Sequence, residues 1–325
     1  MSTRTIIPAG RQLTRVAVPA VPTLFARAGD KARRRVLEFF TAQIRNANTR
    51  AAYGRAVAHF AAWCEIRKVR LEQLEPLIVA AYIEQLGQEV AKPTVKQHLA
   101  AIRMLFDWLV IGQIVPFNPA ASVRGPKYVV KRGKTPVLTA AEARELLDAI
   151  DIGTIAGLRD RALIGVMVYS FARVSAVAGM NAGDYFPQGK RWWLRFHEKG
   201  SKEHAVPAHH NAEAYLDEYI AAAGIADERN EPLFRSLNRR RQLSERRMHR
   251  NEVLQMVKRR ARSAGLPENI GCHTWRATGI TAYLRNGGSL ETAQQIAGHE
   301  SPRTTKLYAR IDDEVTLDEI EKIAI

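Results

Sequence analysis

The chain has 325 residues, of which 46% are hydrophobic, so it is long enough for about two folded domains and is not a disordered polymer. Its 49 lysines and arginines outnumber 33 aspartates and glutamates, which gives a formal charge of +16 and an isoelectric point near 10.1. Such a charge favours a polyanionic partner, and DNA, RNA and an anionic membrane surface all satisfy that requirement.

Local sequence narrows the class of protein further. The two cysteines, Cys64 and Cys272, are too few for a disulfide framework and lack zinc-ligand spacing, so we expect two structural thiols in a reducing compartment and no metal site. No run of 18 apolar residues is present. The apolar segment 16–25 resembles part of a secretion signal, but Pro19 and Pro22 interrupt it. We therefore expect a cytoplasmic protein.

The first half of the chain is predicted to be helical. Residues 1–30 are rich in Pro, Gly, Thr and Arg without a period, which predicts a flexible N-terminal arm. From 31 to 122, apolar residues recur three and four positions apart, for example at Phe60 and Trp63. This pattern predicts a bundle of four or five helices.

Two helix starts in this half carry polar residues that suit a phosphate backbone. Asn48 and Thr49 resemble an N-cap, and Pro93 is placed to open a second helix. Helix N-termini bind phosphate because their first backbone N–H groups are unpaired. The candidate DNA contacts are therefore Thr49, Arg50, Lys96 and Gln97. The alternative for each residue is a merely solvated polar face.

Residues 123–135 form a basic stretch that Gly and Pro interrupt, including Arg124-Gly125-Pro126-Lys127. This composition predicts a linker and a domain boundary, with a second domain over 136–325. A cationic linker would let two domains close round a DNA duplex as a clamp. A plain solvated tether is the alternative.

The second half mixes helices with a small β-structure. Thr139 and Glu142 have the spacing of a capping box that opens a helix to Ile150, and another helix is expected over 158–169. Residues 190–197 and 204–207 flank a lysine-bearing turn and predict a β-hairpin. Beyond it we expect helices to the end, so the fold class is mainly α with a small β-hairpin in the second domain.

The most basic stretch is 235–262, which we interpret as a helix that enters a major groove of DNA. Arginine recognises guanine through paired hydrogen bonds and also binds phosphate. The candidate contacts are Arg241, Arg246, Arg247 and Arg250, with Arg247 and Arg250 preferred as base readers. A solvated basic face is the alternative.

A third set of residues suits phosphodiester cleavage without metal. Extra negative charge on the phosphate in the transition state is best neutralised by guanidinium groups, here Arg173 and Arg276. Tyr308 is the candidate nucleophile, and His273 is placed to accept or orient its proton. Lys199, on the hairpin, would protonate the leaving 5′-oxygen.

These motifs occur in an order that resembles the tyrosine recombinase (phage integrase) family. The matching segments are Ala172-Arg173-Val174-Ser175, Lys199-Gly200-Ser201-Lys202, His273-x-x-Arg276, Gly298-His299 and Thr304-Thr305-x-x-Tyr308. An H-x-x-R motif alone has little specificity, but five elements in register are highly specific. Residues 33–122 resemble the family's SAM-like core-binding domain, and 136–325 resemble its catalytic domain.

The resemblance implies a mechanism and an assembly. Arg173, Lys199, His273, Arg276 and His299 would form the site, and Tyr308 would form a 3′-phosphotyrosyl link to DNA with release of a 5′-hydroxyl. Neither ATP nor a metal or other cofactor would be needed. Family members act as tetramers on two duplexes that carry a specific site, and they exchange strands through a Holliday junction.

The chain departs from the family at the first arginine. Family members usually have an acidic residue three positions later, where this chain has Ala176, and Phe171-Ala172 replaces the commoner Gly-Leu. Loss of the acid would lower activity unless another group substitutes for it. We still expect an active enzyme, because all six residues nearest the chemistry are present.

The tail 311–325 is acidic with an apolar stripe that includes Leu317 and Ile320. It is predicted to dock on a neighbouring subunit, as C-terminal helices of the family often do. A helix folded back on its own domain is the alternative.

Two other functions fit many of the same residues. One is a type IB topoisomerase, which the helical half and the tail disfavour; the other is a non-catalytic DNA-binding regulator, which Tyr308 disfavours. The short N-terminal arm, residues 1–30, favours simple core-site recombination of a transposon, plasmid or integrated element. The sequence does not indicate whether accessory proteins take part. We expect a nucleoid-associated protein of bacterial, phage or plasmid origin.

Overall fold

The protein is described by a computed structural model that covers residues 20–130, 133–198 and 202–308. The chain divides into two compact units, Met1–Val129 and Val130–Ile325, and each has its own hydrophobic core. The division falls inside the basic segment 123–135.

The first unit is helical. Helix α3 begins where the side chain of Asn46 accepts hydrogen bonds from the backbone N–H groups of Asn48 and Thr49, each at 3.1 Å, so its N-cap lies two residues before the expected Asn48. Pro93 is in the first turn of α5, as expected. The helices are α1 Thr23–Ala26, α2 Asp30–Glu38, α3 Ala47–Ile66, α4 Pro76–Glu89 and α5 Lys92–Ile111, with a π-helical turn at Phe39–Gln43 and a 3₁₀ turn at Leu71–Gln73.

Aromatic rings fill the core of this unit. Phe106 lies 6.3 Å from Phe60 and 6.4 Å from Phe25, measured between ring centroids, and all three are buried. Phe25 belongs to α1, so the packed part of the unit reaches back to residue 23, whereas the sequence placed its beginning at 31. The expected helical bundle is confirmed.

The second unit combines helices with two small antiparallel sheets. The strands are β1 Tyr185–Gln188, β2 Arg191–Glu198 and β3 Lys202–Pro207 in the order β1-β2-β3, and β4 Arg235–Leu237 with β5 Leu243–Arg247. The helices are α6 Ala140–Asp148, α7 Ile155–Tyr169, α8 Val174–Gly179, α9 His210–Ala223, α10 Arg250–Ser263, α11 Cys272–Arg285, α12 Leu290–Ala297 and α13 Pro302–Lys306.

Two local predictions for this unit are confirmed. The Thr139 hydroxyl accepts from the backbone N–H of Glu142 at 3.2 Å, and the Glu142 carboxylate accepts from the backbone N–H of Thr139 at 2.7 Å, which forms the capping box of α6. Strands β2 and β3 form the expected hairpin, and Glu198 opposite Lys202 is the pair nearest the connecting residues 199–201.

The expectation that the chain is helical after this hairpin is wrong. Residues 235–247 form β4 and β5, because the side chain of Asn238 accepts from the backbone N–H groups of Arg240 at 2.9 Å and Gln242 at 3.0 Å and so builds a tight turn. Arg241 has a φ of 62° in that turn. The basic helix is therefore only α10, which begins after His249 as N-cap.

The second core is centred on α7, most of whose residues are buried, and α9 and α11 pack against it. Trp275 of α11 is fully buried in this core. This packing fixes the start of α11 beside the segment that leads into α8. Over the part of the chain that the structure describes, no helix is both long enough and apolar enough to cross a membrane.

Candidate active site

Arg276 connects three elements of the second unit. It lies near the start of α11 with 1% of its surface exposed, and its guanidinium donates to the backbone oxygen of Phe171 and, at 2.7 Å, to that of Ala297. Burial, together with repulsion by Arg173, lowers the pKa of Arg276 to about 10. The group is therefore still a cation at neutral pH.

The bend before α8 brings the backbone of Phe171 to Arg276. Phe171 has a φ of 55°, a left-handed conformation that costs a non-glycine residue about 1–2 kcal/mol. Its ring packs against Tyr283, with centroids 6.0 Å apart. A methyl group at Gly279 would lie 2.8 Å from that ring, so Gly279 leaves the space that Phe171 fills. Glycine would adopt this conformation without strain.

Arg173 occupies the N-cap position of α8, and its side chain is 39% exposed. One of its terminal nitrogens, Nη1, forms an ion pair with Oε2 of Glu198, at the end of β2. The sequence did not identify Glu198 as a site residue. Its position directly before Lys199 was the available signal.

Two histidines lie in the field of these arginines. His273 is in the first turn of α11. Burial of its imidazole, together with repulsion by Arg276 and Arg173, lowers its pKa. His299 is 7% exposed, and burial with the same two arginines lowers its pKa to about 3. Its Nδ1 lies 2.9 Å from the hydroxyl of Thr305. Both imidazoles are therefore neutral at pH 7.

Tyr308 is held against His299 and Arg276. Its ring is nearly parallel to the imidazole of His299, with 5.8 Å between centroids and 9° between planes. Tyr308 also lies close enough to Arg276 to oppose the lowering of the pKa of that guanidinium. The backbone is fixed as well, because its N–H donates to the oxygen of Thr305 at 2.9 Å and its oxygen accepts from the Thr281 hydroxyl at 3.0 Å.

Five of the six predicted catalytic residues thus form one cluster: Arg173, His273, Arg276, His299 and Tyr308. Lys199 lies outside the described residues, between Glu198 and Lys202. The tail 311–325 also lies outside them. Within the described ranges, no group of three His, Cys, Asp or Glu side chains is placed to hold a metal ion.

The predicted DNA contacts of the first unit have different surroundings. Lys96 and Gln97 are exposed on α5, and Thr49 is half-buried in the first turn of α3. The guanidinium of Arg50 donates to the backbone oxygens of Phe40 at 2.6 Å and Ile44 at 2.8 Å, so it stabilises the turn before α3. These internal bonds leave Arg50 a weaker candidate for DNA contact.

The arginines of the second unit also differ in their surroundings. Arg247, a preferred base reader, donates to the backbone oxygens of Ala178 at 3.1 Å and Met180 at 2.7 Å and thus holds the end of α8. Arg246 forms a bidentate ion pair with Glu252, which lowers the pKa of that carboxyl to about 2. Arg241 and Arg250 are exposed. Half-burial and these bonds thus give Arg247 a structural role that the sequence did not predict.

Comparison with known proteins identifies the family of this chain. Residues 136–315 match the model of the phage integrase family, and 33–114 match that of the phage integrase N-terminal SAM-like domain. A tyrosine recombinase XerC of Thermodesulfovibrio yellowstonii is 31% identical over 252 residues, which span 75% of this chain and 80% of that protein. A XerC of Pelobacter propionicus is 31% identical over 268 residues, or 81% of this chain and 85% of that protein.

Solved structures share the fold. The XerH site-specific recombinase, in a post-cleavage complex with palindromic difH substrate, aligns with a TM-score of 0.69 and 19% identity over 90% of this chain and 88% of that one. A lambda integrase tetramer bound to a Holliday junction aligns with a TM-score of 0.64 and 18% identity, over 86% of this chain and 77% of that one. The chain belongs to the phage integrase family of tyrosine recombinases, enzymes that cleave and rejoin DNA at specific sites.

Proposed function

We propose that this recombinase cleaves DNA by attack of the Tyr308 hydroxyl on a phosphodiester held by Arg173 and Arg276. The observation that carries the proposal is the placement of Tyr308 against Arg276 and His299. Attack forms a bond between the phenol oxygen and phosphorus, and the bond from phosphorus to the 5′-oxygen breaks. The products are a 3′-phosphotyrosyl strand end and a free 5′-hydroxyl.

The arginines supply the charge that this step needs. In the transition state the non-bridging phosphate oxygens gain negative charge, which fixed guanidinium donors stabilise strongly in a site with little water. Arg276 is buried and charged, whereas 39% of the Arg173 side chain is exposed. Arg276 therefore provides a rigidly placed cation, and Arg173 provides a cation that a phosphate can reach from solvent.

The neutral state of His273 fits the first of the two proton transfers, and Lys199 is proposed for the second. A neutral His273 can accept the phenol proton, directly or through water, whereas an imidazolium could not. His299 is neutral as well, so it binds by hydrogen bonds and adds no positive charge. We assign protonation of the leaving 5′-oxygen to Lys199, because β2 and β3 end beside the Arg173–Glu198 pair.

Strand exchange follows from the reversibility of the covalent step. A 5′-hydroxyl from a second duplex attacks the phosphotyrosyl link and restores a phosphodiester, so the energy of the broken bond is retained and no nucleotide is consumed. We propose that four subunits act on two duplexes and exchange strands through a Holliday junction. The lambda integrase tetramer on such a junction shares this fold and supports that assembly.

The tail 311–325 is proposed to dock on the neighbouring subunit of that tetramer. Its acidic residues are opposite in sign to the net charge of +16 on the chain. Its apolar stripe would be exposed to water unless another protein surface covered it. A chain that ends at residue 310 should still cleave a single site but should fail to recombine two. Equal recombination by the shortened chain would show that the tail folds on its own subunit.

Recombination between two sites is the test of the proposed function. A plasmid that carries two directly repeated copies of the DNA flanking the protein's gene is incubated with the wild type or with Tyr308→Phe, in the presence of EDTA. We expect a deletion circle from the wild type alone. Relaxation of a plasmid without the repeats, with no deletion, would indicate a topoisomerase. Binding without either product would indicate a regulator, and either result would refute the proposal.

A further inference from the structure

The helix that carries Arg173 contains no acidic residue to balance this cation. Helix α8 has the sequence Val-Ser-Ala-Val-Ala-Gly, and its third residue, Ala176, is 4% exposed in the main core of the unit. An acid at the third position of a helix is well placed to interact with the residue at the N-cap. In this chain that position holds a methyl group.

The balancing carboxylate comes instead from the neighbouring sheet. Glu198 ends β2, its side chain is 10% exposed, and its Oε2 is bonded to Nη1 of Arg173. A buried carboxylate is costly unless it is paired. Its second oxygen, Oε1, is buried and has no hydrogen-bond partner among the described residues. A Cβ atom placed on Gly298, the residue before His299, would lie 3.6 Å from this Oε1.

Glu198 also acts on the second arginine. Its charge raises the pKa of Arg276, which burial and Arg173 lower. One carboxylate is therefore close enough to moderate the repulsion between the two cations. The ion pair accounts for one nitrogen of Arg173, and the exposed part of that side chain leaves further donors for a phosphate.

We propose that Glu198 is the positioning residue of Arg173 and supplies, from β2, the carboxylate that α8 lacks. The proposal rests on the proposed function of Arg173 as a phosphate ligand. Glu198 holds the guanidinium at the edge of the site and partly offsets the charge of two adjacent arginines. It does not touch the reacting atoms.

Glu198→Gln tests this role, because it keeps the shape of the side chain and removes its charge. We measure the single-turnover rate of covalent cleavage and the Kd for the same nicked duplex. The rate should fall at least about tenfold, a smaller loss than removal of a direct transition-state donor causes, while Kd changes less than about twofold. Glu218→Gln is the matched control, since Glu218 pairs with Arg161 at the surface. It should cleave at the wild-type rate.

A substrate with sulfur at the bridging 5′ position separates Glu198 from its neighbour Lys199. A thiolate leaves without a proton, so a defect that acts through Lys199 disappears on this DNA. We expect the Glu198→Gln defect to remain there. Recovery on the sulfur substrate, or an unchanged or raised rate on ordinary DNA, would overturn the proposal; a raised rate would mean that Glu198 competes with the phosphate.

Restoring an acid at position 176 is the second variant. Ala176→Glu added to Glu198→Gln should recover a several-fold part of the lost rate. A double variant that melts like the single one but cleaves no faster would contradict the replacement. If the buried glutamate unfolds the double variant, the cleavage rates of Glu198→Gln on ordinary DNA and on the sulfur substrate test the proposal instead. Failure of the wild type itself to form a covalent product would instead refute the proposed function.

Discussion

His299 shows how burial sets the charge of a single residue in this site. Its pKa of about 3 means that it stays neutral over the whole physiological range. A protonated imidazole beside Arg173 and Arg276 would add a third cation to one small volume. The neutral ring can instead stack on Tyr308 and bond Thr305. His299 therefore contributes packing and hydrogen bonding, and the positive charge of the described site comes from the arginines.

This shifted pKa predicts a pH dependence of stability. The unfolded chain binds a proton on His299 below the ordinary pKa of about 6.5, whereas the folded chain binds it only near pH 3. Stability therefore falls as the pH drops from 6.5 towards 3, by about 2 kcal/mol between pH 7 and pH 5 from this residue. Urea unfolding at both pH values, for wild type and His299→Gln, measures it. Equal losses in the two proteins would contradict the assigned pKa.

The residues of the site differ in how well the sequence predicts them. Arg173, Arg276 and Tyr308 were identified because phosphodiester chemistry requires their side chains in a recognisable order. Glu198 was missed, since its partner is 25 residues away and only the packing of β2 against the start of α8 joins them. The conformation of Phe171 was missed for a similar reason, because the space at Gly279 exists only in the folded unit.

Among the elements, the hairpin of β2 and β3 contains the residue that we propose protonates the leaving 5′-oxygen. It carries Lys199 between Glu198 and Lys202, which are paired across the two strands. We expect Lys199→Ala to lower the cleavage rate on ordinary DNA by about 10²–10⁴-fold, because the 5′-oxygen then leaves without a proton. On DNA with a bridging 5′-sulfur the rate should return to within about tenfold of the wild type, since a thiolate leaves unaided.

The control for that experiment is Lys202→Ala. Lys202 is 65% exposed and pairs with Glu300 at 2.5 Å, so it shares the charge and the hairpin of Lys199 without its proposed role. It should cleave both substrates at similar rates to the wild type. A Lys199→Ala defect of equal size on the two substrates would assign the proton transfer to another group.

The helices and strands also show where sequence periodicity fails. The capping box of α6 was predictable because it depends on two residues three apart. Strands β4 and β5 were not predictable from the sequence. The many charged residues of 235–262 hide the change from a strand period to a helix period, and β4 has only three residues. The turn at Asn238 was the overlooked signal, since its side chain bonds to the backbone two and four residues on.

At the scale of the whole molecule, the charge of +16 should govern binding to DNA. Each phosphate contact releases counterions, so affinity falls steeply with salt, with a log–log slope of about −0.9 per contact. Arg241 is exposed in the turn between β4 and β5, and Arg161 is paired with Glu218. Arg241→Asn, which tolerates the left-handed backbone there, should reduce the slope by about one.

The salt dependence is measured as Kd for a flanking duplex between 50 and 200 mM salt, values at which electrostatic binding changes strongly. Arg161→Gln is the matched control and should leave the slope unchanged. If Arg241→Asn also leaves it unchanged, the turn between β4 and β5 does not contact DNA. Engaged residues such as Arg50 and Arg247 show that total charge overstates the cations available to phosphate.

The covalent product tests the central claim most directly. Duplex DNA from around the gene, nicked so that cleavage cannot be reversed and labelled on one strand upstream or downstream of the nick, is incubated without metal with the wild type or Tyr308→Phe. On a denaturing gel the wild type should shift the strand whose 3′ end becomes linked to protein, and Tyr308→Phe should shift none. An adduct formed equally by Tyr308→Phe, or one linked to the 5′ end, would contradict the account.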